Sequence, residues 1–485
     1  METLHPGIYL QEVPGENPIE GVSTSTGAFV GVTERGEVGK SGFVTSWKDF
    51  QAQYGGYLEN SYLPYSVRGF FENGGTRAFI SRVVHYTNNS GTFVKSSVKA
   101  SKEFTQADNV IGILDALTDG TWGNDLEIDI LTGEAENART IVVYEDGQFK
   151  EQFENLIPSV VEDTINSTSK LVRYTSLDDD SPLPVGKVKL AGGNDGLTGL
   201  VPSDYIGDEA LQNGLFAFDN NPINIVAIPG ITDVATLAGI TSYVEKRKDC
   251  TAIVEAPLGM KPLQSVEFFE KTANIASARV HAYYPWIDLS DPIGVGNNPT
   301  KLVPPSGHLM GIFARIDNTR GVWKAPAGLE AVVRGAIGLE YEVNDSEQDM
   351  MNPKSVNAIR KFDGEGIIVW GARTRSSQSE WKFINVRRSA DYVGQSILAG
   401  TRWAVFENND SVLWGKIESV SSAFLRSYWR AGALRGETES QAFFVECNAS
   451  TTTPDDIDAG RLYANVGICP QKPAEFVIFR LSLMK

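Results

Sequence analysis

The segment 303–328 constrains the fold more than any other stretch. It combines a proline pair at its start, an apolar repeat of helical spacing, and proline and glycine residues that fix turns at its end. It begins with VPPSGHLMGIFARID and ends with GVWKAPAG. Pro304 and Pro305 cannot lie inside a helix, so the chain arrives in an extended conformation. Apolar residues then recur at helical spacing, at Leu309, Ile312, Phe313 and Ile316. This pattern predicts an amphipathic helix with Ser306 as its N-cap.

Glycine and proline fix the far end of the segment. Arg315 and Asp317 fall off the apolar face of the predicted helix, and Gly321 is expected to end it. Pro326 and Gly328 then predict a second turn.

A catalytic role for this segment would pair Ser306 with His308. Residues two apart on a helix do not face each other, and the sequence places no activating acid beside them. We therefore expect the segment to have a structural use and to hold no catalytic residue.

The same segment resembles the sheath proteins of contractile tails, which occur in bacteriophage tails, R-type bacteriocins and related contractile injection systems. The resemblance lies in PPSG-x-x-x-G-x-x-A-R-x-D followed by RGVWKAPAG. The residues of this family core motif are Pro304, Pro305, Ser306, Gly307, Gly311, Arg315, Asp317, Trp323 and Pro326.

Other stretches of the chain resemble the same family. They are PGIYLQEV near the start, FFENGG at 70–75, WGARTRS at 370–376, WKFINVRR at 381–388, GALRG at 432–436 and AFFVECN at 442–448. Arg375 departs from the family, which usually has an apolar residue at that position. The resemblance covers nearly the whole chain and is weakest across residues 90–190.

Length and composition indicate a soluble protein of two to four domains. The chain has 485 residues and a net charge of −18, which disfavours nucleic acid or an anionic membrane as its main partner. It has no run of about twenty apolar residues, and its first residues lack the features of a signal peptide. The three cysteines, Cys250, Cys447 and Cys469, fit free thiols in a reducing cytoplasm rather than a disulfide frame or a zinc site.

Both ends of the chain are predicted to be linking arms. Residues 7–13 form a strand-like run bounded by prolines, which has no partner close in sequence and often pairs elsewhere. The alternative is an ordinary edge strand of its own domain. Residues 473–485 predict a strand that is apolar on both faces and therefore suits the centre of a sheet. The predicted linking residues are Gly7, Ile8, Tyr9, Leu10, Val13, Glu475, Phe476, Val477, Ile478, Phe479 and Leu481.

The overall pattern predicts a mixed α/β (α+β) multidomain fold with a parallel-sheet βαβ middle domain. The predicted parts are an N-terminal arm at 1–20, an N-terminal α/β portion at 21–90, a β-rich, outward-facing insertion at 91–192, a middle α/β domain at 193–350, a C-terminal α/β domain at 351–472 and a C-terminal linking strand at 473–485. Residues 88–100 are expected to be a linker and residues 191–196 a flexible hinge. Residues 381–388 alternate and are expected to form a strand.

Motifs that carry chemistry are incomplete. Gly39-Lys40-Ser41 lacks the first glycine of a phosphate loop, because position 34 is Glu34. The aspartates at 178–180 lack the spacing of a calcium loop and fit a solvated loop better. In the middle domain, Glu255 is the only carboxylate at the predicted strand ends, and such a residue is more often a cap or an ion-pair partner than a catalyst. We expect no cofactor and no metal.

Three functions remain open. The first is a structural subunit that polymerises, and the second is a hydrolase-like enzyme built on residues 200–345, which would need a pocket with converging groups. The third and weaker one is a capsid or baseplate component. Self-assembly into tubes or rings would separate the first from the second.

The resemblance favours the first function and implies its details. It implies a helical sheath of stacked hexameric rings around an inner tail tube, which contracts to drive the tube through a target cell envelope. The implied partners are further copies of this chain, the tube protein, and baseplate and tail terminator proteins, with no direct binding of nucleic acid and no membrane insertion. The expected location is a virion tail or injection particle, assembled in the cytoplasm of a host bacterium.

Overall fold

The structure is a computed structural model, and it describes residues 18–89, 91–106 and 108–478. Its strands are β1 (Gly27–Gly31), β2 (Ser41–Val44), β3 (Ala78–Arg82), β4 (Tyr86–Asn89), β5 (Thr92–Lys95), β6 (Ser101–Gln106), β7 (Asn109–Ala116), β8 (Leu126–Thr132), β9 (Arg139–Glu145), β10 (Gln148–Leu156), β11 (Val172–Ser176), β12 (Gly186–Lys189), β13 (Ile225–Ala227), β14 (Thr251–Glu255), β15 (Val280–Tyr284), β16 (Ile287–Ser290), β17 (Thr300–Val303), β18 (Gly338–Leu339), β19 (Val356–Phe362), β20 (Gly366–Val369), β21 (Phe443–Glu446) and β22 (Asn465–Ile468). Its α-helices are α1 (Trp47–Tyr54), α2 (Leu63–Glu72), α3 (Pro158–Thr168), α4 (Pro202–Ile206), α5 (Val234–Arg247), α6 (Pro262–Glu267), α7 (Ser306–Arg320), α8 (Asp345–Met351), α9 (Ile384–Gly400), α10 (Ser411–Arg430), α11 (Glu439–Ala442) and α12 (Pro454–Asp458).

The chain divides into two compact units. The larger unit comprises residues 25–319 and 326–384, and the smaller unit comprises residues 1–24, 320–325 and 385–485. Each unit is therefore assembled from stretches that are far apart in sequence. The division into six parts made from the sequence stays a prediction.

An eight-stranded sheet forms the centre of the larger unit, in the order β2-β3-β1-β13-β14-β15-β19-β20. The six inner strands run parallel, and the two edge strands, β2 and β20, run antiparallel to their neighbours. The predicted mixed α/β fold with a parallel sheet is confirmed. The sheet also joins residues 21–90, 193–350 and 351–472, which the sequence analysis treated as separate parts, because strand pairing connects residues that are distant in sequence.

Helices cover both faces of this sheet, as a parallel sheet requires. Ala28 and Val30 of β1 belong to the apolar core that also contains Leu237, Ile240 and Val244 of helix α5. On the opposite face, the Phe29 ring meets the Phe70 ring of α2 edge-on, with the ring centroids 5.6 Å apart. The two helices α2 and α7 pack on this second face.

The insertion is β-rich, as predicted, and carries its own apolar core. A four-stranded sheet, β10-β9-β8-β12, and a three-stranded sheet, β11-β7-β6, enclose it together with helix α3. The sequence analysis missed α3, although Pro158 starts it and Val161 and Ile165 are buried one turn apart.

The predicted linker at 88–100 and the predicted hinge at 191–196 are both wrong. Strands β4 and β5 pair as a hairpin across residues 86–95. Val98 then pairs with Asn194, and Ser101 with Ala191, so the two connections to the insertion brace each other. Glycine and serine signal a loop only where the backbone lacks partners, and here the partners lie about 90 residues away in the chain.

A buried polar cluster fastens this junction. The Asp119 carboxylate, which is 3% exposed, accepts hydrogen bonds from Lys95 Nζ at 2.5 Å and from Ser97 Oγ at 2.6 Å. The buried guanidinium of Arg82 donates to the backbone oxygens of Gly36 and Asp119, at 2.9 and 2.7 Å. The insertion is thus held to the sheet by buried hydrogen bonds of Asp119 and Arg82.

The smaller unit is built on two helices, α9 and α10. In the sequence, Leu413, Ile417 and Tyr428 recur at helical spacing after Asp410, which predicts an apolar stripe on a helix capped near Asp410. This prediction is confirmed: the Asp410 carboxylate caps the first turn of α10, and the three apolar residues are buried along it. The predicted strand at 381–388 is wrong, because α9 begins at Ile384. The alternation in WKFINVRR does not reflect a strand. The consecutive residues Ile384, Asn385 and Val386 are all buried, because the start of α9 is surrounded by other parts of the protein.

Excision of the insertion should leave the larger unit folded. The core that packs the main sheet on α5 contains no residue from 91–192. Replacing residues 102–190 by a short Gly/Ser turn that joins Ser101 to Ala191 should therefore give a soluble protein with cooperative thermal unfolding. Asp119→Asn in the full chain is the control for the lost carboxylate. A truncated protein that does not fold, beside a stable D119N variant, would contradict the prediction.

Candidate functional site

Helix α7, which carries the family core motif, is buried on all sides over its first half. Every residue from Ser306 to Ala314 is buried, and exposure begins only at Asn318. The prediction of an amphipathic helix is wrong for this half, because α7 lies between the sheet and α2. The helix also begins at Ser306 itself: the Leu309 N–H donates to the Pro305 carbonyl at 3.0 Å, so Pro305 takes the cap position and Ser306 is not the N-cap.

Glycines let α7 and α2 approach backbone to backbone. A Cβ atom on Gly307 would lie 2.2 Å from the Ser66 carbonyl oxygen, and one on Gly311 would lie 2.4 Å from the Phe70 carbonyl oxygen. On the facing helix, a Cβ on Gly69 would lie 2.2 Å from the His308 ring. These glycines of the motif are therefore required by packing.

Arg315 fastens α7 to two other elements. Its guanidinium donates to the Asn73 carbonyl at 2.9 Å and to the backbone oxygens of Glu330 and Val332, at 3.2 and 2.7 Å. Asn73, at the end of α2, in turn accepts from the Arg334 N–H at 2.9 Å. Burial, and next the charge of Arg334, lower the pKa of Arg315. The arginine of the motif is a structural clamp.

The end of the motif passes through both units. Asp317 is half-buried near the end of α7, and Pro326 is buried in the larger unit. In the smaller unit, the Trp323 carbonyl accepts from the Asn385 side chain at 2.8 Å, and its ring meets Tyr428 edge-on at 5.3 Å. Gly321 has a φ of 96°, which fits its predicted role in ending the helix.

Ser306, His308 and Glu255 do not form a catalytic group. Their exposed fractions are 0%, 1% and 3%, so substrate cannot reach them. Burial lowers the pKa of His308 to about 3, which keeps the ring neutral. Burial raises the pKa of Glu255 to about 7, against the hydrogen bond that it accepts from the Gly230 N–H and the effect of the nearby Ser306 hydroxyl. Ser306 therefore faces a carboxyl group, while His308 packs on Gly69 of α2.

Metal and membrane sites are absent from the part of the chain that is described. Within residues 18–89, 91–106 and 108–478, no group of three or more His, Cys, Asp or Glu is placed to hold a metal ion. Over the same residues, no helix combines the length and apolar character needed to cross a membrane.

Arg375, which departs from the family pattern, is buried and hydrogen-bonded. Its guanidinium donates to the backbone oxygens of Ile275 and Phe269, at 3.3 and 3.2 Å, and to that of Lys354. It also lies over the Phe269 ring, 5.7 Å from the centroid. The Arg375 guanidinium thus donates to backbone carbonyls that an apolar side chain at this position would leave without a partner.

The predicted linking residues are only partly within the described chain. Phe476, Val477 and Ile478 are 73%, 70% and 82% exposed, and residues 471–478 belong to no helix or strand. The remaining predicted linking residues, Gly7, Ile8, Tyr9, Leu10, Val13, Phe479 and Leu481, lie outside the described residues. Glu475 is half-buried. The linking role of all these residues stays a prediction.

A small sheet in the smaller unit was missed by the sequence analysis. β21 and β22 pair antiparallel, from Phe443 opposite Ile468 to Glu446 opposite Asn465. In the described part of the chain no third strand joins them, and Phe444 and Val466 are 52% and 38% exposed. The alternation of AFFVECN carried a signal for β21, whereas the partner strand is about twenty residues away and has no strong pattern.

The C-terminal segment begins next to this sheet. Leu434 forms a bridge with Pro470, and the Gln471 N–H donates to the Ala433 carbonyl at 3.3 Å. The Gln471 carbonyl accepts from the Asn385 side chain at 2.9 Å. The segment is therefore anchored up to Gln471, and the exposed apolar residues follow within seven positions.

Comparison with known proteins defines the class: a structural protein of contractile tails, not an enzyme. The model of the phage tail sheath protein central domain matches residues 204–375, and that of the phage tail sheath C-terminal domain matches residues 376–483. The chain belongs to the phage tail sheath protein family. The two matches are contiguous and together cover more than half of the chain.

Individual relatives agree with this assignment. The chain is 26% identical over 305 residues to a prophage major tail sheath protein of Pseudomonas aeruginosa, covering 62% of this chain and 72% of that protein. It is 22% identical to the tail sheath protein of Burkholderia phage BcepMu over 503 residues, covering 99% and 96%. Its fold is similar to that of the helical sheath of the anti-feeding prophage in the contracted state, with a TM-score of 0.61, 20% identity and 99% of both chains covered.

The contact between α2 and α7 makes Gly311→Ala a sharp test of packing. The new methyl group would collide with the Phe70 carbonyl, and overpacking of this kind costs about 1–3 kcal/mol. We expect a lower midpoint of thermal unfolding. Gly415→Ala on the exposed face of α10, where a Cβ meets nothing within 4 Å, is the matched control and should be neutral or slightly stabilising. Equal midpoints for the two variants would refute the close contact.

The buried Glu255 predicts a stability difference that depends on pH. Its pKa is about 7 in the folded protein and 4.5 as a free side chain, so the wild type loses stability as the pH rises through this window. Glu255→Gln keeps an acceptor for the Gly230 N–H and cannot ionise. Its advantage over the wild type should grow from near zero at pH 4.5 to on the order of 3 kcal/mol above pH 7.5. Chemical denaturation at several pH values measures this, and a difference independent of pH would refute it.

Proposed function

We propose that this chain is the subunit of a helical sheath of stacked hexameric rings around an inner tail tube, and that the sheath contracts to drive the tube through a target cell envelope. Membership of the tail sheath family and the similarity to a helical sheath in the contracted state support the proposal. The observation that carries it is the exposure of Phe476, Val477 and Ile478 at the end of residues 471–478, which form no strand within the described part of the chain.

Subunits are joined by strand addition in this proposal. The smaller unit contains both terminal stretches, residues 1–24 and the end of the chain, and also the two-stranded sheet β21–β22. A sheet of only two strands is marginally stable in water and leaves backbone groups unpaired at both edges. An arm from a neighbouring copy would pair with an edge and bury the exposed apolar side chains.

The strength of such a connection is sufficient for a lattice. Each added strand of several residues contributes several hydrogen bonds of roughly 1 kcal/mol net, in addition to the burial of apolar surface. Backbone pairing of this kind is retained when folded units rotate as rigid bodies. The free energy of contraction would come from the assembled lattice, without a nucleotide.

Other partners follow from the same proposal. They are the inner tail tube protein, and baseplate and tail terminator proteins at the ends of the sheath. Nucleic acid and membrane are not bound directly, and the particle, a virion tail or an injection device, is assembled in the cytoplasm of the host bacterium. The insertion faces outward: residues 101–190 contain 18 acidic and 7 basic side chains, which suit a solvated surface. A subunit lacking residues 102–190 should therefore still form tubes.

Removal of either arm should block assembly without unfolding the subunit. Deletion of residues 1–14, or of residues 474–485, should give soluble protein with a normal unfolding midpoint that no longer forms tubes in negative-stain electron microscopy. Phe479→Asp should act in the same direction more mildly, because it places a charge in the shared sheet. Assembly of either truncated protein into contractile sheaths would show that the arms are not the connectors.

The receiving sheet can be tested by one exposed aromatic residue. Phe444 points outward from β21, so Phe444→Asp should leave the subunit folded and reduce polymerisation. Tyr463→Asp is the matched control, because Tyr463 is 48% exposed and lies just before β22. Equal polymerisation of the two variants would remove β21 as the receiving strand. The arm deletions test the connectors independently of where they are received.

A further inference from the structure

The segment that leads out of the N-terminal arm is gripped by one helix of the same subunit. We call residues 18–24 the arm root. Four residues of α9, spaced by four positions, contact it, and we call them the α9 stripe: Arg388, Tyr392, Ser396 and Gly400. The arm root runs broadly antiparallel to α9, with Ile19 at the C-terminal end of the helix and Thr24 near Arg388.

Polar contacts fix the backbone of the arm root. The Val22 N–H donates to Ser396 Oγ at 3.2 Å, and Ser396 is fully buried. The Arg388 guanidinium donates to the Thr24 carbonyl at 2.8 Å. Two backbone groups of an extended segment that has no strand partner in the described chain are thereby satisfied by side chains of α9.

Glycines allow the close fit at two further points. A Cβ on Gly21 would lie 2.0 Å from the Tyr392 hydroxyl, and a Cβ on Gly400 would lie 2.5 Å from Cγ1 of Ile19. Ile19 is only 8% exposed and belongs to the apolar core of the smaller unit, together with Val393 and Phe424. The arm root is therefore packed as core and not laid on the surface.

We propose that the α9 stripe is a positioning site for strand exchange: it holds the arm root of its own subunit in assembled as well as free protein, and so fixes the point from which the N-terminal arm departs. This inference rests on the proposed function of the arm. Chain geometry gives the consequence. Val13 is five residues before Pro18, so the predicted strand ends within about 18 Å of the arm root.

Release of the arm root would change which neighbours the arm can reach. Freeing residues 19–24 adds six residues, or about 20 Å, to the reach of the strand. A docked root thus restricts pairing to one neighbouring subunit, whereas a free root would also permit pairing with others. Loss of the dock should therefore give irregular aggregates or no assembly, even though the strand itself is intact.

A pair of leucine substitutions on one helix tests the site. Gly400→Leu places a side chain where Ile19 packs, whereas Gly394→Leu lies on the same helix where a Cβ meets nothing within 4 Å. Both variants retain residues 1–17. We expect both to be folded, Gly394→Leu to form regular tubes and Gly400→Leu to lose them. Regular tubes from Gly400→Leu would overturn the inference.

A disulfide keeps the test decisive if Gly400→Leu should not fold. A Cβ on Gly400 would lie 3.0 Å from Cβ of Ile19, so a shift of about 0.5 Å would bring the two Cβ atoms into the range that a disulfide spans. The double variant Ile19→Cys with Gly400→Cys should cross-link within the soluble subunit, and the oxidised protein should polymerise as the reduced protein does. Failure to cross-link, or assembly only after reduction, would overturn the inference.

The deletion of residues 1–14 distinguishes failure of the proposed function of the arm from failure of its positioning by α9. If that deletion still polymerises, the proposed function of the arm fails, whatever the stripe variants do. If that deletion does not polymerise and Gly400→Leu does, the arm is the connector and only its positioning by α9 is wrong.

Discussion

The close approach of α7 to α2 is the contact on which the larger unit depends. Two helices can meet backbone to backbone only where the side chains between them are missing, and Gly307, Gly311 and Gly69 provide that space. With α7 packed there, Phe313 lies near Tyr283 of the inner strand β15, with ring centroids 6.5 Å apart. The most distinctive stretch of the sequence is therefore distinctive because of packing.

Polar residues inside the protein serve the same purpose as the glycines. Arg315, Arg375 and Arg82 each donate to backbone carbonyls contributed by separate segments of the chain. A buried guanidinium has five N–H donors in a fixed plane. One side chain can therefore donate to several backbone carbonyls that are not hydrogen-bonded within a helix or sheet. The geometry of these arginines shows that they hold separate segments of the chain together.

The parts of the fold that the sequence predicted well are those in which partners are close along the chain. The βαβ pattern across β13, α5 and β14 and the stripe on α10 were read correctly, because their periodicity and caps are local. The errors fall where the deciding contact is distant. The predicted linker near Val98 is paired with Asn194, which lies far along the chain. Helix α7 is buried on both sides, by α2 and by the sheet.

The candidate site divides in the same way. Exposed apolar residues at the C-terminal end could be found because they form a continuous apolar run, and a strand with two apolar faces needs partners that its own neighbourhood does not offer. The α9 stripe could not be found, because Arg388, Tyr392, Ser396 and Gly400 have little in common except their spacing by four. The predicted strand at 381–388 also obscured the start of that helix. Only the backbone of residues 19–24, lying along α9, reveals their shared role.

An arm that links subunits must satisfy two opposing requirements. It must be free enough to reach a neighbour, and it must be fixed enough to reach only the intended one. Loop-closure entropy rises slowly with length, so a longer free arm loses little affinity for its correct partner but gains access to wrong ones. Selectivity is therefore set mainly by where the free part begins. Packing Ile19 into the core of the smaller unit sets that point within a few residues of the predicted strand. The free arm then determines how far the strand can reach, and the arm root determines which neighbour it pairs with.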